Sequence, residues 1–350
     1  MPNIFRIAFI GIDHPHGSGW RDSIAQLQDE MQIVAFVPAF KDSLTSLEEK
    51  FSSLPRFHSI SELLSWGNFD GAIICLPNLE TPEVVIKLAN AGKAVLVEKP
   101  CAKNAADWQG AVQAIQSNQV AFQAGYMWRY DEAATRLKTM IAEARFGKLI
   151  SIQMQWFTSD ISRRGADHYL FDPLKSGGGF FNWLACHWLD LLLYVTNDLP
   201  VGVTARIGNF TQDNAKVDDG GSALIDLASG CLAQFSGGYW LPRWAGESSW
   251  SIFGSQRWVH WKPNYPGSGG LLEIHGPQPQ FIPMEEKFFL PQDLAKGYGG
   301  TKTIRLLKDW IAMANGGPVC KNTPESVLKT LQLIDAAYTS SAQEKRIKLN

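Results

Sequence analysis

Three groups of residues in this sequence could do chemistry. The stretch GIDHPHG (11–17) sets Asp13, His14 and His16 directly after the apolar run Ile4–Ile10. Two imidazoles and a carboxylate at that spacing could hold a metal ion. A glycine leaving a first strand could equally open a loop whose backbone N–H groups cradle a diphosphate, the G-x-G-x-x-G device. Against that second reading, Asp13 stands where the middle glycine belongs and His16 where the last one does. Glu98-Lys99-Pro100 closes another apolar run. An ammonium there could polarise a substrate hydroxyl, or trade a proton if burial lowers its pKa; the plainer reading is a solvated lysine at a strand end. His187 lies in an apolar helical stretch behind Ser176-Gly177-Gly178-Gly179. With Asn182 and Asp190 it falls within about 140° of arc at 3.6 residues per turn, so the three share one side. It is either an acid/base group facing a pocket or a core histidine satisfied by hydrogen bonds.

The elements that must position these groups follow from periodicity. Strands are expected at Ile4–Ile10, Ile33–Val37, Arg56–His58, Ala72–Leu76, Ala94–Val97 and Val120–Ala124, with helices at Pro82–Ala91 and Ala105–Ser117 between them. Alternation at this spacing implies βαβ units and a doubly wound parallel sheet covered on both faces. Ligands of such a sheet sit at the carboxyl ends of its strands, so the loops Gly11–Gly17, Leu76-Pro77-Asn78 and Glu98-Lys99-Pro100 should converge. The pattern changes near Gly125–Tyr126. Glu132–Ala144 reads as a helix and Ile150–Trp156 as a strand with one wet face. After the helix at 180–196 come strand-like stretches at 201–210, 222–228, 231–237, 250–254 and 257–261, then helices at 302–315 and 324–342. Consecutive strands joined by short turns point to a mainly antiparallel sheet, so the fold class is α/β followed by α+β. A metal reading of Asp13, His14 and His16 in a (β/α)₈ barrel would need more ligands at later strand ends. Five other histidines exist (58, 168, 187, 260, 275), and the second half lacks repeated βα units. The expectation is no metal.

The chain has 350 residues, 45% hydrophobic and 19% charged, enough for about two domains with real cores. Lys+Arg 32 against Asp+Glu 34 gives no reason to expect nucleic acid or an anionic membrane as partner. Five scattered cysteines, none in C-x-x-C, suit reduced thiols in the cytoplasm. The start of the chain shows no basic n-region or cleavage site, and the most apolar helix is too short to span a bilayer. Trp240, Trp244, Trp250, Trp258 and Trp261 crowd the late strands. Their expected use is core or interface, mainly subunit contact, rather than sugar stacking, because an exposed apolar patch of that size is rare on a monomer.

Taken together, several segments resemble the Gfo/Idh/MocA family of NAD(P)-dependent oxidoreductases. They are DGAIICLPN (70–78), LANAGKAVLVEKP (88–100), GYMWRYDEA (125–133), GGGFFNWLACHWLD (177–190), SIFGSQRWV (251–259) and the closing helix from 323. The resemblance implies a Rossmann domain over 1–125 and a substrate and oligomerisation domain over 126–350, with a large open sheet. The closing helix could pack back on the first domain. It implies NAD or NADP as cofactor, a sugar-, inositol- or polyol-like alcohol or ketone as substrate, and a homodimer or homotetramer packed through the sheet. By position, Lys99 is the EKP lysine and His187 the helix histidine, the two catalytic groups. Gly11, Ile12, Asp13, His14, His16, Leu76, Pro77, Asn78, Thr81, Glu98, Lys99 and Arg129 would contact the cofactor. Trp128, His168, Asn182, Trp183 and His187 would wall the substrate.

Three departures mark this chain. Trp183 replaces the family's frequent Asp before the histidine, Thr81 replaces its His after the Pro-Asn pair, and the second strand would end Phe36-Val37-Pro38-Ala39. That last stretch has no acid for a ribose diol and no arginine for a 2′-phosphate; Lys41 is the nearest cation in sequence. The expected function is hydride transfer to or from a carbohydrate-like substrate. The alternatives are lyase or hydrolase chemistry on a retained nucleotide, or a regulatory protein without catalysis. The Gly11–Gly17 loop is expected to bind the dinucleotide, with the helix from Gly17 facing the diphosphate and Asp13 turned aside, where it could cap that helix.

Overall fold

In the computed structural model the described residues are 4–14, 16–40, 50–159, 168–211, 215–243, 245–277 and 284–349. They form two compact units, one of residues 1–130 with 294–328 and the other of 131–293 with 329–350. Lys41 and Trp244, singled out above, lie outside the described residues.

The first unit is built on five parallel strands: β1 (Phe5–Ile10), β2 (Met31–Val37), β3 (Gly71–Ile74), β4 (Ala94–Val97) and β5 (Phe122–Ala124), in the order β2-β1-β3-β4-β5. β3, β4 and β5 are buried at every residue, as strands covered on both faces must be. Helices α1 (Gly17–Ile24), α2 (Ile60–Trp66), α3 (Thr81–Asn90) and α4 (Ala105–Asn118) provide the crossovers. Side-chain caps start two of them, Ser59 for α2 and Asn104 for α4. The strand expected at Arg56–His58 is corrected: Arg56 makes a single parallel bridge to Phe36, flanked by Phe36 N–H to Pro55 O (3.1 Å) and Phe57 N–H to Phe36 O (3.0 Å). Pro55 has no N–H to extend that ladder. Even so, the bridge sets a vestigial strand outside β2, so the winding reverses between β1 and β3, where ligands of such sheets bind. The last helix of this unit, α7, is Thr301–Ala314.

The second unit begins with α5 (Glu132–Ala142), capped by Asp131. Its sheet has nine strands: β6 (Leu149–Ser159), β7 (Pro200–Gly208), β8 (Gly220–Leu227), β9 (Leu232–Leu241), β10 (Gly246–Gly254), β11 (Trp258–Lys262), β12 (Gly270–His275), β13 (Met284–Leu290) and β14 (Ile347–Lys348). Their order is β13-β12-β11-β10-β6-β9-β8-β7-β14, with only β6 and β9 parallel. β12 and β13 escape the sequence reading because their alternation is short and interrupted by charge. Helix α6 is Cys186–Thr196, and a long helix, α8 (Pro324–Gln343), comes near the end of the chain. α6 follows a π-helical turn, Phe181–Ala185, in which the Cys186 N–H reaches back five residues to Phe181 O.

The tryptophan expectation is corrected in part. Trp250 and Trp261 lie in the core of this unit, with ring centroids 5.6 and 6.0 Å from Trp188 of α6. Period-two alternation puts them on the covered face with Ile252 and Val259. Trp258 points to the other face and stacks on His275 at 5.1 Å, while Trp240 donates its Nε1–H to Asp219 (3.2 Å).

Candidate active site

In the first unit the three expected loops do converge. Lateral backbone bonds tie the strand ends: Gly11 N–H to Val37 O (2.7 Å), Cys75 N–H to Ile10 O (2.9 Å) and Glu98 N–H to Ile74 O (2.8 Å). Gly11 has φ +71°, and a Cβ there would lie 2.0 Å from Cys75 O. Only glycine fits so close an approach. Gly17 supplies the second close approach, since its Cβ would meet Ile12 O at 2.3 Å. The loop is thus one residue longer than the usual spacing, with Gly17 taking the place expected of the residue at His16.

Within the loop the three chemical side chains go to different partners. His14 Nδ1 accepts the His16 N–H at 3.0 Å. His16 Nδ1 lies 3.3 Å from Glu98 Oε1, and its ring stacks on Tyr298 at 4.5 Å. Asp13 does not cap α1, contrary to expectation; its two oxygens accept the N–H groups of Ala39 and Phe40 at 2.8 and 2.7 Å. Among the described residues no three His, Cys, Asp or Glu side chains gather as a metal site.

This leaves the start of α1 suited to a diphosphate. Its N-cap, His16, makes no side-chain cap bond, and no acidic residue stands in its first turn. The N–H groups of Ser18 and Gly19 have no intrahelical acceptor, and the dipole end there favours an anion. The carboxylate that could have filled this position, Asp13, is drawn away to β2. These residues fit a dinucleotide.

Glu98 anchors the arrangement from below: besides His16 it accepts the Trp20 Nε1–H at 2.7 Å. Burial alone would push its carboxyl up, but the His16 hydrogen bond, the charges of His16 and Lys99 and the Trp20 N–H hold it below the usual carboxylate range. Lys99, next in sequence, is 1% exposed, so the picture of a solvated lysine is set aside. Gly125 packs against this segment; a Cβ there would come 3.1 Å from the backbone nitrogen of Lys99. Leu76, Pro77 and Asn78 lie in the β3 loop, where Leu76 and Asn78 are buried. The Thr81 hydroxyl donates to Pro77 O at 3.1 Å, closing that loop at the start of α3. Trp128 and Arg129 fall in a 3₁₀ turn, Met127–Tyr130, beyond β5. Arg129 Nη1 donates to Lys321 O (2.6 Å), and the Lys302 ammonium sits 4.8 Å from the Trp128 ring centre.

In the second unit, His187 is 1% exposed on α6, with its ring 5.7 Å from that of Trp156. Asn182 and Trp183 occupy the π turn before it, and Asn182 Nδ2 donates to Ser176 O at 2.8 Å. A turn closed five residues back brings Asn182 toward the line of His187, which α-helical spacing would set apart. Asp190 accepts the Thr330 hydroxyl at 3.2 Å. His168 accepts the Leu170 N–H at 3.3 Å and stacks on Tyr169, whose ring is 6.3 Å from Trp183.

Sequence reasoning missed what holds this helix. Asp218 accepts the N–H groups of Gly179 (2.6 Å) and Phe181 (2.9 Å) and the Tyr338 hydroxyl (2.7 Å). Burial pushes its carboxyl up, and the bonds from Phe181, Gly179 and Tyr338 offset only part of that. The Gly-Gly-Gly run has a steric origin, because a Cβ on Gly179 would lie 1.9 Å from Asp218 O. The only sequence signal was the Asp218-Asp219 pair itself.

A reversing parallel sheet with a glycine loop at its switch point, a buried lysine at a strand end and a separate sheet domain carrying a helix histidine defines a class: dinucleotide-dependent oxidoreductases. Comparison with known proteins makes this specific. Residues 5–126 match the model described as "Oxidoreductase family, NAD-binding Rossmann fold", and residues 134–260 match the GFO/IDH/MocA C-terminal domain. The chain belongs to the Gfo/Idh/MocA family and is an NAD(P)-dependent oxidoreductase acting on CH–OH groups. It is 22% identical over 334 residues to inositol 2-dehydrogenase of Rhizobium meliloti (strain 1021), covering 91% of this chain and 92% of that one. The fold is also that of an oxidoreductase domain protein from Kribbella flavida, at TM-score 0.86 and 18% identity with both chains covered in full (100%). Levoglucosan dehydrogenase in complex with NADH and L-sorbose shares it at TM-score 0.86 and 17% identity, over 99% of each chain. No helix among the described residues is long and apolar enough to cross a membrane.

Proposed function

We propose that this enzyme oxidises a secondary alcohol of an inositol, sugar or related polyol, or reduces the corresponding ketone. Lys99 and His187 are its catalytic residues. The observation that carries this is the complete burial of Lys99 at the carboxyl end of β4, in the loop cluster that fits a dinucleotide. A lysine is almost never so buried without a role or a partner. The bound nicotinamide supplies hydride acceptance or donation. Lys99 directs an ammonium at the reacting oxygen and favours negative charge developing there. His187 takes the hydroxyl proton during oxidation and returns it during reduction. Asn182, Trp183, His168 and Trp128 wall the substrate, and the residues of loops 11–17, 76–81 and 98–99, with Arg129, hold the cofactor. The inositol dehydrogenase relative supports the substrate class.

The polar face of the nine-stranded sheet, with Ser222, Gln234, Gln153, Ser251 and Trp258 alternating against buried neighbours, packs on a second copy of the chain. Five free, buried cysteines suit a cytoplasmic enzyme. The test is a panel of inositols, aldoses and anhydrosugars assayed with NAD⁺ and NADP⁺. Lys99→Met should abolish turnover in a protein that still folds, with a lowered melting temperature because Lys99 is buried beside Glu98. His187→Asn should slow it by roughly 10²–10⁴-fold. Near wild-type rates in either folded variant would remove that residue from the mechanism. Light scattering at micromolar concentration should show a dimer or tetramer, and a monomer would refute the sheet interface.

A further inference from the structure

A stretch from far along the chain, just ahead of α7, closes over the start of α1. Gly297 has φ +95°, and a Cβ there would lie 2.5 Å from Gly19 O and 2.4 Å from Ser23 Oγ. The Tyr298 N–H reaches Gly19 O at 3.4 Å, and the Gln26 amide exchanges bonds with the Lys296 backbone at 2.8 and 3.3 Å. This strap, held by its backbone, delivers one side chain to the site. The Tyr298 ring stacks on His16, with centroids 4.5 Å and planes 23° apart. His16 in turn sets its Nδ1 3.3 Å from Glu98 Oε1. The Glu98 carboxyl, held below the usual range, is ionised and can only accept, so Nδ1 carries the proton. Glu98 directly precedes Lys99, whose charge acts on it.

We propose that Tyr298 is a positioning residue for the reaction: its ring keeps the His16 imidazole on Glu98 and so fixes the carboxylate beside Lys99. The inference rests on the reading of Lys99 as catalytic. A hydrogen bond to one oxygen fixes one atom of an imidazole and leaves its plane to be set by whatever lies on its face. Tyr298 supplies that parallel face, since the His14 ring stands at 80° to His16. The diphosphate end of α1 does not depend on the phenol. The N–H groups of Ser18 and Gly19 belong to the backbone. The strap's contacts with Gly19, Ser23 and Gln26 are made by its backbone and survive truncation of Tyr298 at Cβ. Tyr298 therefore acts on the chemical step and not on cofactor affinity.

The test compares Tyr298→Ala, Tyr298→Phe and Lys99→Met with wild type in the full-length protein, using the best substrate of the panel above. Tyr298→Ala should lower kcat roughly five- to tenfold, the factor that loss of one ring contact supplies. Its Kd for NADH, from fluorescence titration, should stay within about twofold of wild type. Tyr298→Phe keeps the ring and should restore kcat. The His16 imidazole N–H gives a readout that needs no substrate. Its nitrogen-15-edited NMR signal should shift or vanish by solvent exchange in Tyr298→Ala and persist in Tyr298→Phe. An unchanged His16 signal in Tyr298→Ala overturns the proposal, as does an unchanged kcat while Lys99→Met is inactive. So does a loss of NADH affinity that matches the loss of kcat, the mark of a merely structural strap, or a defect that Tyr298→Phe fails to rescue. Turnover retained in Lys99→Met refutes the catalytic reading itself, and the role of Tyr298 falls with it.

Discussion

Glu98, at the end of β4 in the first unit, and Asp218, just ahead of β8 in the second, are both buried carboxylates that fix the start of a helix. They respond to burial in opposite ways. Glu98 is met by His16, Lys99 and the Trp20 N–H, and its pKa is held down despite burial. Asp218 is met by backbone N–H groups and a phenol, all neutral donors, and its pKa rises. The Tyr338 hydroxyl that serves it is pushed well above its ordinary value, by burial first and then by the Asp218 charge. The difference follows the work of each region. The first assembles charge at a strand-end crevice where a charged cofactor must bind. The second uses neutral bonds to fix the entry to an apolar helix, α6.

The strongest way to break the first arrangement is Gly11→Ala. A methyl group 2.0 Å from Cys75 O, at φ +71°, cannot be accommodated by a flexible neighbour. A loss of more than about 3 kcal/mol is expected, together with loss of NADH binding. Chemical denaturation followed by nucleotide titration checks both. Glu98→Gln comes next. It keeps the shape but strips the charge from the His16 and Trp20 bonds, and should cost about 2–3 kcal/mol near neutrality.

The sign with pH sharpens the comparison. A carboxylate with a depressed folded pKa adds stability above its unfolded value of about 4.3, lost as pH falls through the folded pKa. The gap between wild type and Glu98→Gln should therefore shrink on acidification. Asp218, whose folded pKa is raised, behaves inversely. Its contribution to stability falls as pH rises from the unfolded value of about 3.9 through the folded one. Melting curves of the two asparagine or glutamine variants against pH should slope in opposite directions relative to wild type. Parallel slopes would mean that the two sites are electrostatically alike. The smallest effect belongs to Tyr338→Phe, which removes one of the three donors to Asp218 and should cost about 1 kcal/mol. It should leave NADH affinity unchanged.

Much of the first unit was legible because fully covered strands are continuous apolar runs; β1, β3, β4 and β5 stand close to where Ile4–Ile10, Ala72–Leu76, Ala94–Val97 and Val120–Ala124 place them. The EKP segment and the glycine loop were legible for the same reason, since each follows directly on such a run. What the sequence hid are carboxylate-to-backbone bonds between distant segments. Asp13 finds its partners at Ala39 and Phe40, and Asp218 finds Gly179 and Phe181. No periodicity marks such pairs. The π turn at Phe181–Ala185 was hidden as well, because its residues keep a helical pattern while the register changes. Trp250 and Trp261 were misassigned to subunit contact because counting indoles ignores the alternation that turns each one inward or outward.

Hydrogen exchange with and without saturating NADH tests the division of labour between the two regions most directly. Protection is predicted at the strand-end loops of the first unit, 11–17, 39–40, 76–78 and 98–101, while strands β7 to β12 of the second unit exchange at unchanged rates. Protection centred on those strands, with the Gly11–Gly17 loop unaffected while NADH is bound, would contradict the account.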